Sequence, residues 1–200
     1  EIPYVSEMLL VGKPGREDLL GGCCHDLSDS FAARGTHVRL TYSTCLADAE
    51  GSDIVICTAG VPRRPGQDRN DLALENAKII AEVAGTIGRS SPDTILLMVT
   101  NPVDVMTAVA LKYSGLQPRQ VFGLGTHLDS MRLKSLIARY FRVHVSEVHT
   151  RIIGEHGESM VPLWSATTIG GIQIHNLPTF SGLPIQDMVD AVRTSGQAII

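Results

Sequence analysis

Three short, nearly unbroken apolar runs alternate along the chain with stretches whose apolar residues recur at helical spacing. The runs are Met8–Val11 (MLLV), Asp53–Thr58 (DIVICT) and Thr94–Thr100 (TILLMVT). A strand that is apolar at every position has to be buried on both faces. That condition is met in a parallel sheet covered by helices on each side. The pattern predicts an α/β fold with a doubly wound parallel sheet. Its further strands are Val38–Tyr42 and Val121–Gly123. Its helices cover Leu20–Arg34, with Leu20, Cys24, Leu27 and Phe31 in one stripe, then Leu72–Gly88, Val103–Ser114 and Leu128–Tyr140.

The pattern changes after Arg142. Val148–Ile153, Ser165–Ile169 and Ile172–Ile174 read as strands, Gly170-Gly171 as the hairpin turn between the last two, and the chain from Pro184 as a helix. The expected organisation is two domains, 1–126 and 127–200, the second an α+β region.

Composition bounds what such a chain can do. In 200 residues, 44% are hydrophobic, ample for a core, and Lys plus Arg at 17 against Asp plus Glu at 21 leaves a net charge of −4. No basic field points to nucleic acid, and no apolar run approaches the ~20 residues of a membrane span. The four cysteines lack C-x-x-C spacing and read as buried free thiols of a reducing, cytoplasmic compartment. No histidine pair has metal-ligand spacing, so no metal is expected.

In open α/β sheets, ligands bind beyond the carboxyl ends of the strands. Four segments there hold most of the suggestive polar residues. Ala59–Asp71 (AGVPRRPGQDRND) carries Arg63, Arg64 and Arg69, whose planar guanidiniums suit carboxylates; a solvated charged loop would look the same. Thr100–Asp104 (TNPVD) holds Asn101 in a turn after a buried strand. Asp129 and Arg132, three apart, share a helix face and suit an ordinary ion pair equally well. Gly154–Glu158 (GEHGE) places His156 between glycines, open to close approach.

Taken together, TNPVDVMT, GLGTHLDSMRLK and GEHGESMVPLWS downstream of AGVPRRPGQDRNDL resemble the lactate/malate dehydrogenase family. Within it the chain is most similar to the archaeal, lactate-dehydrogenase-like malate enzymes, from about Ser6 to the last residue. The resemblance implies a Rossmann-type sheet followed by part of an α+β catalytic domain. It also implies reversible hydride transfer between malate and oxaloacetate with NADP and/or NAD. His156 would be the acid/base and Asp129 the carboxylate that holds it. Arg132 would grip the substrate carboxylate, Arg69 would polarise the carbonyl from a mobile loop, and Asn101 would orient the substrate oxygen. Arg63 would take the second carboxylate of a dicarboxylate substrate, where lactate enzymes tend to carry glutamine. The alternatives are a lactate or other 2-hydroxy acid dehydrogenase and, from another class, a non-catalytic nucleotide-binding or assembly protein of the same fold. A homodimer or homotetramer is the implied assembly.

The chain departs from the family in one place. The fingerprint G-x-G-x-x-G is missing, and the strand Met8–Val11 matches the family's second strand. The expectation is a fragment lacking the first strand, its glycine loop and the C-terminal part of the catalytic domain. Without a central first strand in the order 3-2-1-4-5-6, the sheet ladder should break and bare apolar edges. Residues 1–200 alone are then expected to be unstable and inactive. At the end of that second strand, where NAD-selective relatives place an acid, stand Gly12, Lys13 and Arg16. Those cations would tolerate or pair with a 2′-phosphate. With Gly60, Asn76 and Asn101, they complete the cofactor-binding set that the resemblance implies.

Overall fold

The computed structural model describes residues 5–62 and 69–195, the side chains of 69 and 70 excepted. It divides the chain into two compact units, Glu1–Met98 with Thr107–Phe122, and Val99–Met106 with Gly123–Ile200.

The first unit is the parallel α/β layer. Strand β1 (Glu7–Val11) leads into α1 (Glu17–Ala33) and returns as β2 (Arg39–Ser43), which pairs parallel with β1 from Glu7↔Arg39 to Val11↔Ser43. Leu20, Cys24, Leu27 and Phe31 form the half-buried stripe of α1, the helical spacing read in the sequence. Strand β3 (Ile54–Cys57) is followed by α2 (Arg69–Ser90), β4 (Ile95–Met98), α3 (Val103–Ser114), whose first turn as far as Met106 belongs to the second unit, and β5 (Val121–Gly123). Strands β3, β4 and β5 form a separate sheet in that order, with β3 parallel to β4. The ladder is therefore interrupted, with β1–β2 and β3–β4–β5 as separate pieces.

Helix α2 carries the deepest apolar stripe of this unit: Leu72, Ile80, Ala84 and Ile87 are buried, with Asn76 among them. Near its end Gly88 lies against α3. A Cβ there would fall 1.8 Å from the Ser114 carbonyl oxygen, so only glycine permits the approach. Along β3 the burial is one-sided. Cys57 is buried, whereas Ile54 and Ile56 are 59% and 61% exposed.

The second unit closes on itself. Helix α4 (His127–Phe141) packs against α5 (Ile185–Thr194). The short strands are β6 (Val148–His149), β7 (Ile152–Ile153), β8 (Val161–Pro162), β9 (Thr168–Ile169) and β10 (Ile172–Gln173). Leu133, Ile137, Val148, Ile152, Ile169, Ile174, Met188 and Val192 form one buried cluster. The hairpin joining β9 to β10 turns through Gly170 and Gly171, with φ of +56° and +81°, a conformation that side chains resist.

Three sequence readings need correction. The strand expected at Ser165–Ile169 is only Thr168–Ile169, because Trp164–Ala166 forms a 3-10 turn whose Thr167 N–H bonds back to the Trp164 carbonyl. The strand expected at Val148–Ile153 is two strands, because the chain changes partners. Val148 pairs with Ile169 of β9, and Ile152 pairs with Pro162 of β8, a strand the sequence did not suggest. The buried thiols reduce to Cys57 alone, since Cys23 and Cys45 are exposed and Cys24 is half-buried; none of the four forms a disulfide. Among the described residues, no helix is long and apolar enough to cross a membrane, and no cluster of metal-ligating side chains occurs.

Candidate active site

The second unit gathers Asp129, Arg132 and His156, which the sequence singled out in two separate motifs. Asp129 stands in the first turn of α4, where a helix favours negative charge, and is 2% exposed. Its Oδ2 lies 2.6 Å from Nδ1 of His156. Its Oδ1 accepts a hydrogen bond from Nη1 of Arg132 at 3.3 Å. One buried carboxylate thus serves an imidazole and a guanidinium. Commitment of Nδ1 to Asp129 leaves proton exchange to Nε2 of His156.

Local structure places each partner. The i,i+3 spacing of Asp129 and Arg132 puts both on one face of α4. His156 follows β7 in a tight loop that opens at Gly154, whose φ of +91° would strain any other residue. A hydrogen bond from Gly157 N–H to Glu155 carbonyl (3.0 Å) closes a three-residue turn centred on His156.

Other residues hold this arrangement, and the sequence reading gave them no role. Ile152 N–H donates to Ser130 Oγ (2.9 Å), and Ile152 carbonyl accepts from Thr126 Oγ1 (2.5 Å). Ser130 Oγ also donates to the Thr126 carbonyl (2.8 Å). These bonds fix β7, and with it the histidine loop, to the turn of α4 that carries Asp129. Asp104 Oδ2 accepts the backbone N–H of His156 at 2.9 Å. Both Thr126 and Ser130 lie within GLGTHLDSMRLK, and Asp104 within TNPVDVMT. No signal in the sequence marked them, since each acts on a backbone group.

Asn101 is exposed in the turn between β4 and α3. Arg63 and Arg64 lie outside the described residues; Arg69 is the first residue of α2, and its side chain is likewise outside them. The remaining candidates belong to the first unit. Gly12 continues the β1–β2 ladder by donating its N–H to the Ser43 carbonyl (3.0 Å). Lys13 and Arg16 are exposed in the loop that follows and form no ion pair among the described residues. Glu17 shares that loop. Its carboxylate accepts the Gly15 N–H (3.2 Å), and backbone hydrogen bonds at Glu17 and Gly15 hold it below the usual carboxylate range. Gly60 is half-buried in the loop after β3. Asn76 engages the same loop: its Oδ1 accepts from Val61 N–H (2.8 Å), and its Nδ2 donates to the Val61 carbonyl (3.3 Å).

A parallel α/β unit and an α/β unit bearing a carboxylate-held histidine place the chain among Rossmann-type two-domain proteins. Family profiles narrow the class: that of the lactate/malate dehydrogenase NAD binding domain matches residues 3–123, and that of the lactate/malate dehydrogenase alpha/beta C-terminal domain matches residues 126–200. The chain belongs to the lactate/malate dehydrogenase family. It is 54% identical over 181 residues to a malate dehydrogenase of Methanothermobacter marburgensis, covering 88% of this chain and 56% of the relative. It is 46% identical over 200 residues to an L-2-hydroxycarboxylate dehydrogenase (NAD(P)(+)) of Methanocaldococcus jannaschii, covering 99% and 64%. Among solved structures, the malate dehydrogenase of Salinibacter ruber superimposes with a TM-score of 0.85 at 33% identity, covering 98% of this chain and 61% of that one. The chain thus spans 56% to 64% of the length of these curated relatives.

Proposed function

We propose that the protein is a malate dehydrogenase, catalysing reversible hydride transfer between (S)-malate and oxaloacetate with NAD(P). The observation that carries this reading is the pair His156 Nδ1–Asp129 Oδ2 at 2.6 Å, with Arg132 on the other carboxylate oxygen. A pair so held suits a general base that must become cationic during the reaction. The identity with a protein called malate dehydrogenase supports the substrate class.

In malate oxidation, Nε2 of His156 takes the hydroxyl proton as the carbinol becomes a carbonyl. Asp129 stabilises the resulting imidazolium and fixes the tautomer that presents a lone pair at Nε2. Arg132 pairs with the carboxylate beside the reacting carbon; its guanidinium is oriented by Asp129 and keeps further N–H donors for that task. Arg63 takes the distal carboxylate, Arg69 stabilises the developing carbonyl oxygen, and Asn101 orients it. In reduction of oxaloacetate the same groups act in reverse, with His156 as the acid.

A bound nicotinamide cofactor supplies the acceptor for the departing hydride. The residues at the carboxyl ends of the parallel strands fit such a group. Gly12 offers bare backbone at the carboxyl end of a parallel strand, and Lys13 and Arg16 are exposed cations free of ion pairing among the described residues. Gly12, Lys13, Arg16, Gly60 and Asn101 would hold it, with Asn76 fixing the loop of Val61. The two cations favour acceptance of NADP alongside NAD, and Glu17 in the same loop opposes strict NADP selectivity. The four free cysteines agree with a cytoplasmic protein. Exposed Leu19 on α1 and Leu128 on α4 agree with a homodimer or homotetramer.

The reading is tested on the full-length protein by comparing reduction of oxaloacetate and pyruvate with NADH and NADPH. Oxaloacetate is expected to be preferred, and Arg63→Gln to move preference toward pyruvate. A wild-type preference for pyruvate would instead support the second reading, a 2-hydroxy acid dehydrogenase of wider range, which the Methanocaldococcus jannaschii relative favours. Cofactor binding without turnover of any 2-oxo acid would leave a non-catalytic nucleotide-binding protein.

A further inference from the structure

We propose that Asp104 is a positioning residue that sets the place of His156 by accepting its backbone N–H; the proposal deepens the dehydrogenase reading and rests on it. The loop carrying His156 is built to move unless something holds it. Gly154 and Gly157 flank the histidine, and Gly154 sits in the left-handed region with freedom that no other residue has. Before the loop, Ile152 is clamped to α4 by Ser130 and Thr126. After it, Val161 pairs with Ile153. Between those anchors, the backbone bonds among the described residues are local ones, Gly157 to Glu155 and Met160 to Gly157, with a single exception. That exception is the 2.9 Å bond from His156 N–H to Asp104 Oδ2, which reaches 52 residues back along the chain.

Asp104 is well placed to serve as a fixed post. It lies in the first turn of α3, so its backbone is held by the helix and its charge is favoured by the helix N-terminus. His156 is then held at two points, the main chain by Asp104 and Nδ1 by Asp129. Two points define the direction of the imidazole, and hence where Nε2 meets a substrate hydroxyl. The Asp129 bond alone would leave the ring free to swing with the loop. Displacement of a catalytic group by about 1 Å costs on the order of 100-fold in rate.

Three variants of the full-length protein separate positioning from charge and from helix capping. Asp104→Ala removes the acceptor. Asp104→Asn keeps an acceptor oxygen at the same reach and discards the charge. Asp104→Glu keeps the charge and displaces the oxygen by one methylene. Positioning predicts that Ala and Glu each lower kcat for oxaloacetate reduction, Ala by about 100-fold. KM should stay within about threefold, and Asn should restore kcat to within about fivefold of wild type. Amide exchange at His156 should accelerate in Ala and Glu, not in Asn, while exchange at buried Val148 and Ile174 is unchanged. The proposal is overturned if Glu rescues and Asn does not, if all three variants match wild type in kcat, or if His156 exchange is the same throughout. Should Ala fail to fold, the Asn and Glu pair still decides. Wild-type protein inert toward every 2-oxo acid would remove the dehydrogenase reading, and His156 exchange would still report whether Asp104 holds the loop.

Discussion

The two units of the molecule bury their apolar residues to different degrees. In the second, α4, α5 and five short strands enclose a continuous cluster from Leu133 to Val192, and Ile174 at its heart is fully buried. In the first, the sheet is divided, α1 has no buried residue, and Ile54 and Ile56 of β3 stand more than half exposed. His156, Asp129 and Arg132 belong to the second unit, whose own core fixes α4, whereas Arg63 and Arg69, proposed to meet the distal carboxylate and the carbonyl oxygen, belong to the first. The groups proposed to hold the cofactor lie in loops at the carboxyl ends of strands, Gly12, Lys13, Arg16 and Gly60 in the first unit and Asn101 in the second.

Substitutions can break that contrast at either end. The largest effect is expected at Asp129, since Asp129→Asn deprives an imidazolium of its carboxylate and Arg132 of its partner. Turnover in the full-length protein should fall by about 10²- to 10⁴-fold with the melting temperature little changed; steady-state kinetics and a thermal melt check both halves. Next comes Gly88→Ala, which forces a methyl into the Ser114 carbonyl and should destabilise the first unit by about 3 kcal/mol. Its control is Gly22→Ala in α1, where the added carbon meets nothing within 4 Å, and which should stabilise by up to about 1 kcal/mol. Denaturant unfolding of both would show whether α2–α3 contact anchors that unit.

Truncation of cores gives a third contrast. In the full-length protein Ile174→Ala should cost about 2–5 kcal/mol, whereas Leu74→Ala, at a position 66% exposed on α2, should change stability by about 0.5 kcal/mol or less. Equal losses would mean that Leu74 is buried as fully as the second unit's core. The smallest effect concerns thiols. Burial pushes the Cys57 thiol up, so the neutral form is favoured in the folded state. Its modification by iodoacetamide should lag behind that of exposed Cys23 and Cys45 and should accelerate only at more alkaline pH. The sign carries over to stability: this contribution is fully present below the unfolded thiol's ordinary value and fades as pH rises above it, because the unfolded chain ionises first.

Much of this was legible in the sequence because it depends on periodicity. The apolar runs predicted β1, β3 and β4, the stripe from Leu20 to Phe31 predicted α1, and the limits of α3 and β5 were read without error. Partner exchange at Thr150 and Arg151 was not legible, since a strand that changes neighbours keeps the composition of one that does not. The site divides in the same way. Side chains with distinctive chemistry, His156, Asp129 and Arg132, announced themselves through their motifs. Ser130, Thr126 and Asp104 act on backbone groups, and a backbone N–H has no letter in a sequence. Asn76 illustrates a further case: the resemblance named it, but its engagement of Val61 through both amide atoms required the fold.

Whether His156, held by Asp129, exchanges the proton of a 2-hydroxy dicarboxylate is decided by single-turnover reduction of oxaloacetate in the full-length protein and its His156→Gln variant. A rapid wild-type reaction is expected, with a loss of about 10²- to 10⁴-fold in the variant and cofactor affinity retained. A variant that reduces oxaloacetate as fast as wild type would contradict that role of His156.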